Sequence, residues 1–272
     1  MSFDPILLGS GYAGWTFLKR TLPSQTATFN KSTEIKRDED YFRAKIKSVK
    51  TADDLVNDRR LLQVALGAFG LDNDINNKAF IRKVLADGTL KDGTLANRLA
   101  DKQYQKLSAA FGFGDFSTPS TQISDFPDKI LAAYRTRKFE TAVGAQSDDM
   151  RLALNTEREL AVLAKRANMS EDAKWFTIMG NAPLRRVVEK ALGLPTSIGS
   201  IDLDQQLTAF KQNAESLFGD ATVSQFTDPA KVETLIRRFV MRSDAEANAA
   251  QSGRSAAVLQ MLQQTAQNAR RY

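Results

Sequence analysis

From Asp40 onward, apolar residues recur at intervals of three and four, the signature of a helix with one buried face. Tyr41, Phe42, Ile46 and Val49 predict one helix, and Leu61, Leu62, Ala65, Leu66 and Phe69 predict the next. Between them, Thr51-Ala52-Asp53-Asp54 reads as an N-cap with an acid three residues on, a variant of the capping box. Gly70 suits the left-handed residue that ends a helix, and Leu71 can fold back onto Leu66. Two more short helices are predicted at Asn77–Ala86 and Asp101–Phe111. Further on, Pro127–Val143 and Asp148–Ala167 read as long helices, the second capped by Ser147. Ser170 opens a shorter helix through Trp175 and Phe176, and Pro183 and Pro229 sit in first turns behind Asn181 and Asp228. Alternation with a period of two is almost missing. The predicted class is all-α.

Organisation follows from the breaks. Gly112–Ser124 is rich in Gly, Ser, Thr and Pro and reads as a linker. The expected division is an extended N-terminal segment (1–38), a helical unit (39–116), a linker (117–125), a second unit (126–242) and a C-terminal linker and amphipathic helix (243–272). The units echo each other: Leu61–Leu71 resembles Leu184–Leu194 at an offset of 123. Asp101…Leu107-x-x-x-Phe111 likewise matches Asp228…Leu235-x-x-x-Phe239. Two related units packed together are expected, too few for an open solenoid.

Composition narrows the chemistry. The 272 residues contain neither histidine nor cysteine, which removes disulfides, thiolate metal sites, cysteine nucleophiles and histidine bases. The net charge of +6 is spread over both halves, and the arginine clusters at 59–60, 185–186 and 237–238 lie in helical patterns near acids. That distribution speaks for solvated helix faces rather than a nucleic-acid surface. No apolar run suits a membrane span, and Met1–Pro5 lacks the basic start of a cleaved export signal. Residence in the cytoplasm is expected.

One motif invites a cofactor. Gly9-Ser10-Gly11-Tyr12-Ala13-Gly14 is a full G-x-G-x-x-G, with Glu34 at the distance of a ribose-binding acid. A nucleotide-binding enzyme built on Gly9–Gly14 is therefore an alternative. Yet Ile6-Leu7-Leu8 is a meagre strand, Pro23 interrupts the helix that would follow, and no βαβ alternation appears. The expected role of these glycines is a Gly-rich segment anchored by Trp15, Phe17 and Leu18. Asp72–Asp74 and Asp202–Asp204 lack the rest of a calcium loop, and no catalytic set, cofactor or metal is expected.

A set of motifs carries a resemblance. It comprises Gly11-Tyr12-Ala13-Gly14-Trp15-x-Phe17-Leu18-x-Arg20-Thr21, Arg37-Asp38…Tyr41-Phe42, Thr51–Leu55 leading to Ala68–Leu71, Phe80-Ile81-x-x-Val84-Leu85, and Asp101…Tyr104…Phe111. These resemble a domain-of-unknown-function family of flagellated proteobacteria whose members often lie beside flagellar basal-body genes. The resemblance implies a flagellum-linked role and transfers no catalytic residues. The expected function is thus a non-enzymatic interaction protein or self-associating chain. Candidate partner surfaces are Tyr12, Trp15 and Phe17 at one end and Val258, Met261 and Leu262 at the other. An axial-type flagellar export substrate, leaving the cell without a cleaved signal, is the alternative within the same neighbourhood.

Overall fold

A computed structural model describes the backbone of residues 3–269 and the side chains of residues 3–252. Among the described residues there are thirteen α-helices and no strand, so the all-α expectation holds. The first seven are α1 (Gly11–Phe29), α2 (Thr33–Lys45), α3 (Ala52–Asn57), α4 (Arg59–Phe69), α5 (Lys78–Asp87), α6 (Leu95–Arg98) and α7 (Gln103–Phe111). They are followed by α8 (Phe126–Gly144), α9 (Asp148–Ala164), α10 (Glu171–Met179), α11 (Ala182–Leu192), α12 (Leu203–Phe218) and α13 (Pro229–Ala269). Packing divides the chain into a first unit, Met1–Leu7 with Lys19–Arg151, and a second, Leu8–Leu18 with Leu152–Tyr272.

In the first unit, α4 packs chiefly on α8 and fills the core with Leu61, Leu62, Val64, Ala65 and Leu66. Its ends follow cap chemistry. The Asp58 carboxylate accepts the Arg60 and Leu61 amides, and Gly70 closes the helix at φ 73°. Glycine is required again inside the helix, at Gly67, because a Cβ there would stand 2.9 Å from the Tyr134 ring. The Tyr134 hydroxyl donates to Asp38 at 2.7 Å and so ties α8 to α2. The stretch 117–125, expected as a linker, instead lies within this unit. Buried Thr121 donates its hydroxyl to the Val49 carbonyl at 2.6 Å, giving the turn a fixed seat.

Two glycines hold the α5–α6 connection against the chain after α7. A Cβ on Gly114 would meet the Ala86 carbonyl oxygen at 2.3 Å and the Gly88 nitrogen at 2.4 Å, both immovable backbone. Gly114→Ala should therefore destabilise the protein by about 2–3 kcal/mol in urea melts. Gly93→Ala, left-handed at φ 75° but facing open space, should cost only about 1–2 kcal/mol of backbone strain.

In the second unit, α11 packs chiefly on α13, with Val187, Val188, Ala191 and Leu192 buried on one helix and Leu235, Ile236, Phe239 and Val240 on the other. Asn181 caps α11 and Gly193 ends it at φ 75°, after which the Leu194 amide reaches the Glu189 carbonyl at 2.9 Å. That ending repeats the one at Gly70, where the Leu71 amide reaches Leu66 at 3.0 Å. The second expected echo changes partners. Leu107 and Phe111 lie on α7, whereas α13, which bears Leu235 and Phe239, packs on its unit's glycine-capped helix as α8 does on α4. On these two packing helices, Arg137 of α8 lies beside Gly70 and Arg242 of α13 beside Gly193.

The expected extended N-terminus is helical from Gly11, and α1 runs straight through Pro23. Losing a helical donor there costs roughly 3 kcal/mol, but the chain beyond it is anchored. The Gln25 side chain both accepts from the Ile6 amide at 2.7 Å and donates to its carbonyl at 3.0 Å. Phe29 packs edge-on to Phe139 with ring centres 5.5 Å apart. Likewise, 243–253 forms no break, because α13 continues through it.

Candidate functional site

The N-terminal candidates fall on the first turns of α1, which lie in the second unit against α13. Trp15 is fully buried, and its indole N–H donates to both carboxylate oxygens of Glu233, at 3.0 and 3.2 Å. Tyr12 is half-buried, with the Arg237 guanidinium 5.0 Å from its ring centre. Phe17 is also half-buried. The expectation is corrected for Trp15: a side chain with no exposed surface, engaged by its own chain, offers a partner nothing. The signal missed in the sequence is Glu233, 218 residues away.

The glycine motif serves the same junction. Gly9 and Gly11 adopt φ 78° and 59° and lead into α1 without a preceding strand. A Cβ on Gly11 would stand 3.0 Å from the Asp244 carboxylate, so this glycine allows helix contact. A pyrophosphate approaching the same backbone would face that fixed anion.

Past this contact the character of α13 changes. Ser243 is buried and Asp244 half-buried, while every described side chain from Ala245 to Ser252 is exposed. Val258, Met261 and Leu262 lie outside the residues whose side chains are described. Among the described residues, no helix is long and apolar enough to cross a membrane.

A connected polar cluster joins the start of α10 to the turn before α13. Buried Lys174 donates to Glu171 at 2.8 Å, to Ser224 Oγ at 2.5 Å and to the Ala164 carbonyl at 3.3 Å. Glu171 also accepts from the Ser224 hydroxyl and from the amides of Val223 and Ser224. A lysine beside a serine suggests nucleophilic chemistry, but Glu171 takes the serine proton as a hydrogen bond and neutralises the ammonium. The cluster acts as a staple. Burial alone would raise the Glu171 pKa; the Lys174 ammonium, the Ser224 hydroxyl and the two amides outweigh it and hold the group at about 2. A carboxylate depressed on folding contributes stability above its ordinary value near 4.5 and loses it as pH falls toward 2. Acid unfolding followed by circular dichroism should shift to higher pH in Lys174→Met, which removes the main counter-charge.

Acidic groups noted in the sequence prove structural. Asp74 accepts from the Tyr104 hydroxyl at 2.6 Å, Asp72 pairs with Lys138, and Asp202 caps α12. No group of His, Cys, Asp and Glu suited to a metal ion occurs among the described residues. Asp115 clasps a loop by accepting from the Thr89 and Leu90 amides and the Thr89 hydroxyl. Burial would raise its pKa, yet these three donors hold it below the usual carboxylate range.

A polar cleft of about 570 Å³ opens in the first unit between the end of α2 and the α3–α4 junction. Lys45, Ser48, Asn57, Arg59, Asp54 and Asp58 line it. Arg60 is fixed at its edge, 3.9 Å above the Tyr41 ring, and the Tyr41 hydroxyl donates to Asp58 at 2.7 Å. Arg59 and Arg60 are both exposed, as the solvated-face reading expected; what local spacing did not reveal is that the end of α2 faces them across the cleft.

The family model described as "Protein of unknown function (DUF1217)" matches residues 68–232, more than half of the chain. The chain belongs to this family. The DUF1217 match begins in the last turns of α4 and ends in the first turn of α13. Both the Trp15 helix and the outer part of α13 therefore lie beyond it. Among solved structures, the X-ray crystal structure of protein AGR_C_984 from Agrobacterium tumefaciens is similar, with a TM-score of 0.71 at 24% identity. The match covers 89% of this chain and 99% of that one, and at this identity the likeness concerns the fold. No curated protein matches the chain.

Proposed function

We propose that this DUF1217 member is a non-enzymatic helical interaction protein whose partner surface lies on the outer part of α13. The observation that carries the reading is the 41-residue length of α13, whose described side chains leave the core after Asp244. A helix continuing without cover is stabilised by a partner or by its own propensity. The sequence places Val258, Met261 and Leu262 on one apolar face of that continuation. The family resemblance adds a flagellum-linked role, residence in the cytoplasm goes with the interaction reading, and the paired glycine-capped helices fit an ancestral duplication.

Replacing Val258, Met261 and Leu262 together by glutamate in the full-length chain should leave the circular dichroism and thermal midpoint of the body intact. Recovery of partners, or of a second copy, should fall by about tenfold or more. Unchanged recovery would remove this face from the account.

The alternative reading, an axial-type flagellar export substrate, draws on a different observation: α1 and α13, from opposite ends of the chain, pair through Trp15 and Glu233. Detection of the intact protein in the medium of motile cells, and its loss from export-defective cells, would favour that alternative.

A further inference from the structure

We propose that the cleft between the end of α2 and the α3–α4 junction binds the carboxylates of an acidic segment of a protein partner. The proposal rests on the interaction-protein reading and names a partner chemistry for it. Lys45 and Asn57 line the cleft, and their side chains have no hydrogen-bond or ion-pair partner among the described residues, although the Lys45 carbonyl accepts from the Ser48 hydroxyl at 2.7 Å. Arg59 donates to a neutral acceptor, the Asn76 side-chain oxygen, at 3.2 Å. The chain around the cleft adds charge of one sign: Arg43, Lys45, Lys47 and Lys50 follow one another with no acid before Asp53. Of these, Arg43 is engaged by Asp128, while Lys45, Lys47 and Lys50 are exposed.

The two carboxylates in the lining decide between anions. Asp54 accepts the Lys50 and Thr51 amides, and Asp58 accepts the Arg60 and Leu61 amides and the Tyr41 hydroxyl. The Lys50 and Thr51 amides and the Thr51 hydroxyl hold the Asp54 carboxyl below the usual carboxylate range, and Asp58 sets a second carboxylate beside it, so a phosphate dianion entering the cleft meets two acidic side chains. Single carboxylates spaced along a peptide can approach Lys45 and Arg59 separately. The peptide backbone between them can bond Asn57 and Ser48. The volume of about 570 Å³ suits a few side chains and a short length of backbone.

The test titrates the ¹⁵N-labelled full-length chain with a ten-residue oligoglutamate peptide and, separately, with inorganic phosphate. Saturable shifts of the Lys45, Asn57 and Arg59 amides by the peptide are expected, with phosphate weaker. The exposed double variant K45E/R59E should weaken the peptide by about tenfold or more while its thermal midpoint stays put. Shifts that never saturate, equal binding by the double variant, or tighter binding of phosphate would each overturn the proposal. Failure here with partners still lost on substituting Val258, Met261 and Leu262 discards the cleft alone. Success here with that substitution silent discards the α13 surface instead.

Discussion

Trp15→Ala is expected to lower the unfolding free energy by about 3–5 kcal/mol, read from urea melts by circular dichroism. The residue is wholly buried, as is Leu18 one turn on, so truncation empties a large volume at the α1–α13 contact. It also removes the donor that both Glu233 oxygens share, leaving that carboxylate beside an apolar void. Trp15→Phe separates the two effects: it keeps most of the ring volume and should cost about 1–2 kcal/mol for the lost hydrogen bond. A cost for Trp15→Ala below about 1 kcal/mol would mean that α1 is an appendage.

Glu171→Gln should produce a loss of similar size, about 3–5 kcal/mol, because it strands the buried Lys174 ammonium with only neutral acceptors. The effect is asymmetric. The lysine side chain is 4% exposed and the glutamate 31%, so water can reach the carboxylate when its partner is removed but not the ammonium. Lys174→Met should accordingly cost about 1–3 kcal/mol. The double variant E171Q/K174M should cost less than the two losses added, since neither charge then lacks its counterpart. Urea melts of the three variants check this, and strict additivity would mean the groups act independently.

Where local rules governed, the sequence was readable. Thr51 and Asp54 form the reciprocal cap that their spacing suggested, and Gly70 and Gly193 end their helices in the left-handed conformation. Pro183 and Pro229 stand in first turns as expected. Reading failed where a distant partner overrode a local signal. Pro23 looked like a stop, but Gln25 and Phe29 are fastened by Ile6 and Phe139, and the helix persists. The loop at 117–125 looked free, but Thr121 bonds Val49 across 72 positions. Trp15 looked like a partner anchor because aromatic residues near a terminus have no visible covering until Glu233 and its helix are placed.

The candidate site was less legible than the fold. The G-x-G-x-x-G string points to nucleotide chemistry only when a strand precedes it, and here Gly11 lets Asp244 approach α1. The cleft near Lys45 is assembled from residues on α2, α3 and α4, each with an ordinary local reading. Solvated charges and cleft-lining charges look alike until the helices are packed.

The central claim is that the chain packs its first helix onto α13 and leaves the described side chains of α13 from Ala245 to Ser252 exposed, with Glu246 paired to Lys190. Hydrogen exchange of the full-length protein, followed by mass spectrometry, measures this most directly. Amides of 14–22 and 232–243 should exchange together and slowly, near the global unfolding limit, while those of 245–252 exchange orders of magnitude faster. Fast exchange in 14–22, or protection of 245–252 equal to that of 232–243 in the isolated chain, would contradict the account.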